Sequence, residues 1–179
     1  MPAPVRPVAI AAGANLGDPA AQIRAAFGAL AHSSLISNAT LSPLYRTAPV
    51  RVVADGPDPG GEYVNAAIVA ESNASPEALL ALLHDVERRG GRDRGICPHG
   101  SPRPIDLDLL VVGDLVFRSF ELTIPHPRMH ERAFVLAPLA DVAPGLAVPA
   151  PDGGPGVSVG ELLRRLGPLD AASVRRIDP

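Results

Sequence analysis

Residues 102–110 read PRPIDLDLL, and Asp106 and Asp108 stand one residue apart inside the apolar series Ile105, Leu107, Leu109, Val111. Strict alternation over this length is the signature of a strand with one buried face. Side chains of a strand alternate faces, so both carboxylates point the same way, with Cα atoms roughly 6.5–7 Å apart. Like charges this close repel, and burying them is costly without a cation nearby. Pro102-Arg103-Pro104 immediately precedes the pair, and an arginine-rich stretch lies upstream. Carboxylates beside arginines point to a divalent cation and phosphate. Taken alone, the motif reads rather as a solvated strand face with two ordinary acids, and the surrounding residues decide against that.

The rest of the chain narrows these readings. Its 179 residues are 46% hydrophobic and 20% charged, with a formal net charge of −3, which suits one globular domain with a substantial core. Aromatic residues make up only 3% and Trp is absent, which weakens any base-stacking surface for single-stranded nucleic acid. Every basic residue is Arg. Without lysine, a GxxxxGK[ST] phosphate loop and Schiff-base chemistry are both excluded. Cys97 is the sole cysteine, so no intrachain disulfide forms, and it reads as a structural thiol. The start MPAPVRPVAIAAG has no signal-peptide architecture, and no apolar run approaches the ~20 residues of a membrane span. A cytoplasmic protein is expected.

Working outward, residues 5–13 read as a first strand and Asp18-Pro19 as a helix start, with Asp as N-cap and Pro at N1. Residues 34–45 read as a second strand with imperfect alternation. Residues 51–61 (RVVADGPDPGG) form a polar loop, and residues 62–71 a third strand. Ser75-Pro76 starts a second helix whose buried stripe is Leu79, Leu80, Leu82, Leu83 and Val86, ended by Gly90-Gly91. A second loop spans 92–104, and the aspartate strand 105–112. Residues 115–124 suggest a hairpin, 129–139 a partly helical segment, 144–156 a Pro/Gly-rich stretch, and 159–166 a last helix. The final dozen residues carry little signal. The order βαββαβ, with C-terminal additions, predicts an α+β ferredoxin-like core: an antiparallel sheet with two helices on one face.

Four further segments carry chemistry. Arg88, Arg89, Arg92, Arg94 and Arg103 crowd a window whose one acid is Asp93. Arginine forks bind phosphate oxygens bidentately, although cations also suit the C-terminal end of a helix. IPHPRMHER at 124–132 holds His126 between two prolines, as a phosphate donor, a ligand or a structural residue; no spacing supports a zinc site. GANLGD at 13–18 is a tight turn permitting close backbone approach, and it is no dinucleotide fingerprint. In YVNAA at 63–67, Tyr63 and Asn65 share a face. The amide can both donate to and accept from a heterocycle edge.

In their order, GANLGD, SPLYRTAPV, YVNAAI, VERRGGRDR, PRPIDLDLL and TIPHPRMHERAFVLAPLADVAP resemble the 6-hydroxymethyl-7,8-dihydropterin pyrophosphokinases, the folate-pathway family abbreviated HPPK. The likeness runs from about residue 8 to about residue 144. It implies a ferredoxin-like fold in a single pyrophosphokinase domain, 1–179. It further implies transfer of pyrophosphate from ATP to the pterin hydroxymethyl group, giving AMP, with two Mg²⁺ ions. Asp106 and Asp108 match the metal-binding pair; Asp106 is assigned mainly to the metal and secondarily to accepting the hydroxyl proton. Arg92, Arg103, His126 and Arg132 match contacts to ATP, with Glu87 the acid near the nucleotide. Arg94 matches a basic position of a catalytic loop, so that Arg92, Arg94, Arg103, Asp106 and Asp108 form the implied catalytic set. Tyr63 and Phe134 match an aromatic pair around the pterin, Asn65 its edge-reading amide, and Thr47 and Val50 backbone contacts to the ring.

Three features depart from the family pattern. Residues 95–100 (GICPHG) lack the usual basic and tryptophan residues, leaving His99 as the only candidate for a charged contact. Residues 51–61 are longer than in compact members, and GANLGD replaces a Gly-Ser-Asn start. The resemblance implies partners limited to ATP and the pterin, with no nucleic acid and no membrane, and a monomer. The competing readings are a weak or inactive paralogue that binds ATP or pterin for another purpose, and an RNA-binding module, which would require sheet-face aromatics that this chain lacks.

Overall fold

The computed structural model describes residues 3–49, 58, 60–93, 95, 101–167 and 174–177. The chain runs through β1 (Arg6–Ala14), α1 (Pro19–Ala31), β2 (Ser37–Leu41), β3 (Tyr45–Thr47), β4 (Tyr63–Ser72), α2 (Pro76–Arg89) and β5 (Asp106–Val112). There follow β6 (Phe117–Arg118), β7 (Thr123–Ile124), a 3₁₀ turn (Met129–Glu131), α3 (Ala133–Val142), β8 (Ala147–Val148), β9 (Val157–Ser158), α4 (Val159–Leu166) and β10 (Val174–Arg176). The architecture is mixed α/β. The main sheet has the order β10-β3-β4-β1-β5, with β2 also on β4, and every pair is antiparallel.

Both early helices start as their sequences dictate. The Asp18 side chain accepts from the Ala21 amide at 3.0 Å, and Ser75 accepts from that of Ala78 at 3.2 Å, each with proline next in the chain. Helix α2 buries Leu79, Leu83 and Val86 at helical spacing, whereas Leu80 and Leu82 are only half-buried. It ends at Gly90, and Gly91 takes a φ of +86°, the left-handed conformation that glycine adopts without strain.

Helices α1 and α2 pack with Val8, Ile10, Ile68, Leu107 and Leu109 in one core, while α3 and α4 form a second with Ala9, Ala67, Leu110 and Val111. The sheet is therefore covered on both faces over part of its length, where the sequence predicted two helices on one face and left the C-terminal additions unplaced. Three expectations change in detail. The strand expected over 34–45 is two, because Pro43 has no amide to donate. Ser42 keeps the junction on the sheet, its backbone amide donating to the Ala67 carbonyl and its hydroxyl accepting from the Ala67 amide, both at 2.9 Å. The final dozen residues supply β10, whose Val-Arg-Arg shows no alternation because the open edge of β3 organises it. Lastly, Val111 does not continue the alternation of Leu107 and Leu109. The pairing of β1 with β5 slips between Ala9 and Ile10. This bulge turns Leu110 and Val111 together into the second core and confines the acid face to the start of the strand.

Candidate active site

In antiparallel pairs, directly opposed residues share a face. Gly13 lies opposite both Asn65 on β4 and Asp106 on β5, Ala11 opposite Asp108, Thr47 opposite Tyr63, and Tyr45 opposite Asn65. Thr47, Tyr63, Asn65, Asp106 and Asp108 thus belong to one sheet face, at the end that α3 and α4 leave open. Between the amide and the acids, β1 contributes only small residues. A Cβ at Gly13 would stand 3.1 Å from Asn65 Oδ1, so the glycine makes room for that amide. Asn65 Nδ2 donates to Thr47 Oγ1 at 2.9 Å, and both residues are buried.

The cation demanded by the acid pair is supplied from the loop preceding β5. The Arg92 guanidinium bonds Asp106 Oδ1 through Nη1, and the same nitrogen reaches Glu87 Oε1 at 2.5 Å. Arg103 Nη1 stands 3.0 Å from Asp106 Oδ2. Burial works against the Arg92 charge, but Asp106 and Glu87 outweigh it and raise its pKa above the ordinary value. The Nε atoms of Arg92 and Arg103 are buried without a hydrogen-bond partner, while 10% and 17% of the two side chains, respectively, stay exposed. Arg88 and Arg89 behave differently: both are exposed and pair with Asp85 on their own helix, as ordinary charges at a helix end. Arg94 and Val50, His99 and Cys97, and most of 51–61 and 95–100 lie outside the described residues.

Glu87 is almost wholly buried, at 1% exposure. Its Oε1 also accepts from the Leu107 amide at 2.8 Å. Its carboxylate therefore holds β5 and Arg92 rather than facing solvent. Arg92 and Glu87 also line an open depression of about 510 Å³ with His84, Arg88, Gly91, Asp93 and Gly95.

Asp108 faces the opposite group. Burial, then the neighbouring Asp106, push its pKa up, while His126, Arg132 and Arg103 pull it down. Burial lowers the pKa of His126, against the pull of Asp108. Burial and then Arg128 lower that of Arg132. The His126 backbone amide donates to the Leu110 carbonyl at 2.9 Å, which docks this segment on β5. The Arg132 guanidinium stands 5.6 Å from the centroid of the Phe134 ring on α3, and α3 packs on β4. On the other side, the Arg103 guanidinium stands 5.8 Å from the Tyr63 centroid.

The sequence reading missed Asn15. Its backbone amide donates to the Arg103 carbonyl at 3.1 Å, its Oδ1 accepts from the Arg103 amide at 2.8 Å, and its Nδ2 reaches the Gly61 carbonyl at 3.4 Å. One side chain ties Arg103 to the approach to Tyr63. The GANLGD turn was the available signal, but it pointed to the glycine rather than to the amide after it.

Residues 9–144 match the family model of 7,8-dihydro-6-hydroxymethylpterin-pyrophosphokinase (HPPK). The chain belongs to this family. It is 37% identical over 145 residues to the 2-amino-4-hydroxy-6-hydroxymethyldihydropteridine pyrophosphokinase of Pseudomonas aeruginosa, covering 81% of this chain and 85% of that protein. The pyrophosphokinase of Bacillus subtilis is 35% identical over 133 residues, covering 74% and 75%. The mitochondrial folate synthesis bifunctional protein of Pisum sativum is 41% identical over 135 residues, but these are only 25% of its length. Among solved structures, HPPK-DHPS of Plasmodium falciparum with pteroate superposes at a TM-score of 0.69 over 97% of this chain and 46% of that one. At 12% identity that likeness concerns the fold alone. No helix among the described residues of this HPPK family member is long and apolar enough to cross a membrane.

Proposed function

We propose that this chain transfers the pyrophosphoryl group of ATP to the hydroxymethyl oxygen of 6-hydroxymethyl-7,8-dihydropterin in folate biosynthesis. The hydroxymethyl oxygen bonds to the β-phosphorus as the bridge from that phosphorus to the α-phosphate breaks. AMP leaves with the bridging oxygen, and the hydroxyl proton passes to Asp106 or to water. The observation that carries this reading is one sheet face holding two chemistries. At one end Asp106, Asp108, Arg92 and Arg103 gather beside His126 and Arg132; two strands away Tyr63 and Asn65, and Thr47 on the strand beyond, face the side from which Phe134 arrives. ATP is read onto the first group, with Glu87 behind it, and the pterin ring onto the second.

Magnesium fits the acid pair. Among the described residues no group of three or more His, Cys, Asp or Glu side chains could enclose a metal ion. Mg²⁺ is ordinarily held by one or two carboxylates together with substrate phosphates and waters, which is what Asp106 and Asp108 can provide for two ions. Bound there, Mg²⁺ supplies charge neutralisation on the triphosphate. The protein's own part is positional. Arg92 and Arg103, through the exposed part of their guanidinium side chains, meet phosphate oxygens, while Asn65, its Nδ2 fixed by Thr47, orients the ring edge. In-line transfer needs alignment and charge absorption, and no covalent enzyme intermediate.

The sheet order β5-β1-β4-β3, with α1 and α2 on one face, supports reading the core as ferredoxin-like, β2 and β3 being one interrupted strand. We place the whole chain in one pyrophosphokinase domain, as a cytoplasmic monomer. The deciding experiment measures pterin-dependent AMP formation from ATP and Mg²⁺, with Asp106→Ala beside the wild type. AMP that vanishes in the variant supports the reading. ADP formation overturns it, and tight binding of both substrates without turnover leaves a binding protein.

A further inference from the structure

We infer that β10 is a clamp that fixes the pterin-side wall of the site. It is a positioning element for the ring, and it lies beyond the segment matched by the family model, which ends at residue 144. The inference rests on the pterin assignment made above. The strand that needs fixing is β3, only three residues long, which carries Thr47 and through it the Asn65 amide. One edge of β3 pairs with β4. The other pairs with β10 in the register Val174–Thr47, Arg175–Arg46 and Arg176–Tyr45, and the Ile177 amide donates to the Leu44 carbonyl at 2.9 Å. Antiparallel pairs alternate between bonded and non-bonded, so Arg175 and Arg46 form the next bonded pair after Ile177 and Leu44. Val174 and Arg176 then share the face of Thr47 and Tyr45.

A second tie reaches α3. The buried Tyr45 hydroxyl donates to Asp141 Oδ2 at 2.7 Å, and Arg176 Nη1 stands 3.8 Å from the same oxygen. Asp141 is on the helix that carries Phe134. Strand β10 therefore closes a triangle of β3, α3 and itself around the two elements that supply Thr47 and Phe134. Strand β10 lies at the opposite end of the sheet from β5 and the acid pair, so its effect belongs to the ring and not to the phosphates.

Four proteins test this: the full chain, a chain ending at Gly167, Arg175→Pro and Arg176→Ala. Arg175→Pro removes one ladder amide at full length, and Arg176→Ala removes the Asp141 partner. Pterin affinity is measured by calorimetry with α,β-methylene ATP and Mg²⁺ present, and KM for each substrate by AMP formation. The pterin Kd and KM are expected to rise about three- to ten-fold, the equivalent of one lost hydrogen bond, with the KM for ATP unchanged and Arg176→Lys restoring binding. Unchanged pterin affinity in the folded point variants overturns the clamp, as does a loss shared equally by both substrates or confined to kcat. If the shortened chain fails to fold, the two point variants decide. Pterin binding by the full chain without AMP formation would sink the transfer reading and leave the clamp testable by calorimetry. A full chain that binds no pterin sinks both.

Discussion

Arg92 carries two burdens at the scale of single residues. It neutralises Glu87, which is nearly inaccessible, and it holds Asp106. Removing one partner of a buried pair leaves the other charge uncompensated, at a cost of about 3 kcal/mol or more. Arg92→Ala is expected to lower both the thermal midpoint and AMP formation. Arg103→Ala, whose partner is less buried, is expected to lose activity with a much smaller shift in midpoint; calorimetric scans beside the AMP assay check both. The tyrosines offer a pH test. Burial, then the hydrogen bond to Asp141, push Tyr45 up to about 12, and burial raises Tyr63 above its ordinary value of 10.0. The unfolded chain ionises first, so stability is fully present below pH 10 and is lost between about pH 10 and 12. Absorbance at 295 nm should show both phenols ionising above pH 10, and Tyr45→Phe should remove the later step. The pairing of Asp106 with Arg92 and Arg103 was legible because residue type and spacing state the charges, whereas Thr47 and Phe134 entered only through the resemblance to the family. Asn15 was not, since its function lies in which two loop ends it touches. Nor was the burial of Glu87, since charge in a sequence does not reveal depth.

Elements turn these residues into a surface. The small side chains of β1 are as necessary as the charged ones beside them. Gly13→Ala would place a methyl 3.1 Å from Asn65 Oδ1, tighter than an ordinary contact. The amide must shift, and the KM for the pterin should rise more than the KM for ATP. Asn15→Ala removes the two side-chain hydrogen bonds at the root of Arg103 and keeps the backbone one; a lost hydrogen bond of this kind costs about 1 kcal/mol. Its expected signature is a fall in kcat/KM for both substrates, since Arg103 and Tyr63 answer to the same amide. Strand and helix starts were legible from alternation and from Asp-Pro and Ser-Pro caps. The slip between β1 and β5 was not. It depends on pairing between distant segments, which the local series through Val111 cannot encode.

For the whole molecule, the absence of a closed metal cage among the described residues separates folding from metal. Chelation is expected to abolish AMP formation and leave the thermal midpoint unchanged. ATP with Mg²⁺ at about a hundred times Kd should stabilise by roughly 2.7 kcal/mol through mass action; ATP with chelator should stabilise far less. The antiparallel architecture was legible from element order, whereas coverage of the second face by α3 and α4 was not, because helix pattern does not say which side of a sheet a helix will find. The position of β5 at the border of the sheet has a further consequence. A border strand ordinarily offers its outward backbone to any other chain. Here Glu87 takes the Leu107 amide, and the His126 amide takes the Leu110 carbonyl. Two residues proposed for the nucleotide side of the site thus also deny β5 to strand-on-strand aggregation. Glu87→Leu would leave that buried amide without its acceptor, so such a protein should unfold at a lower temperature and scatter light once warming frees the border strand.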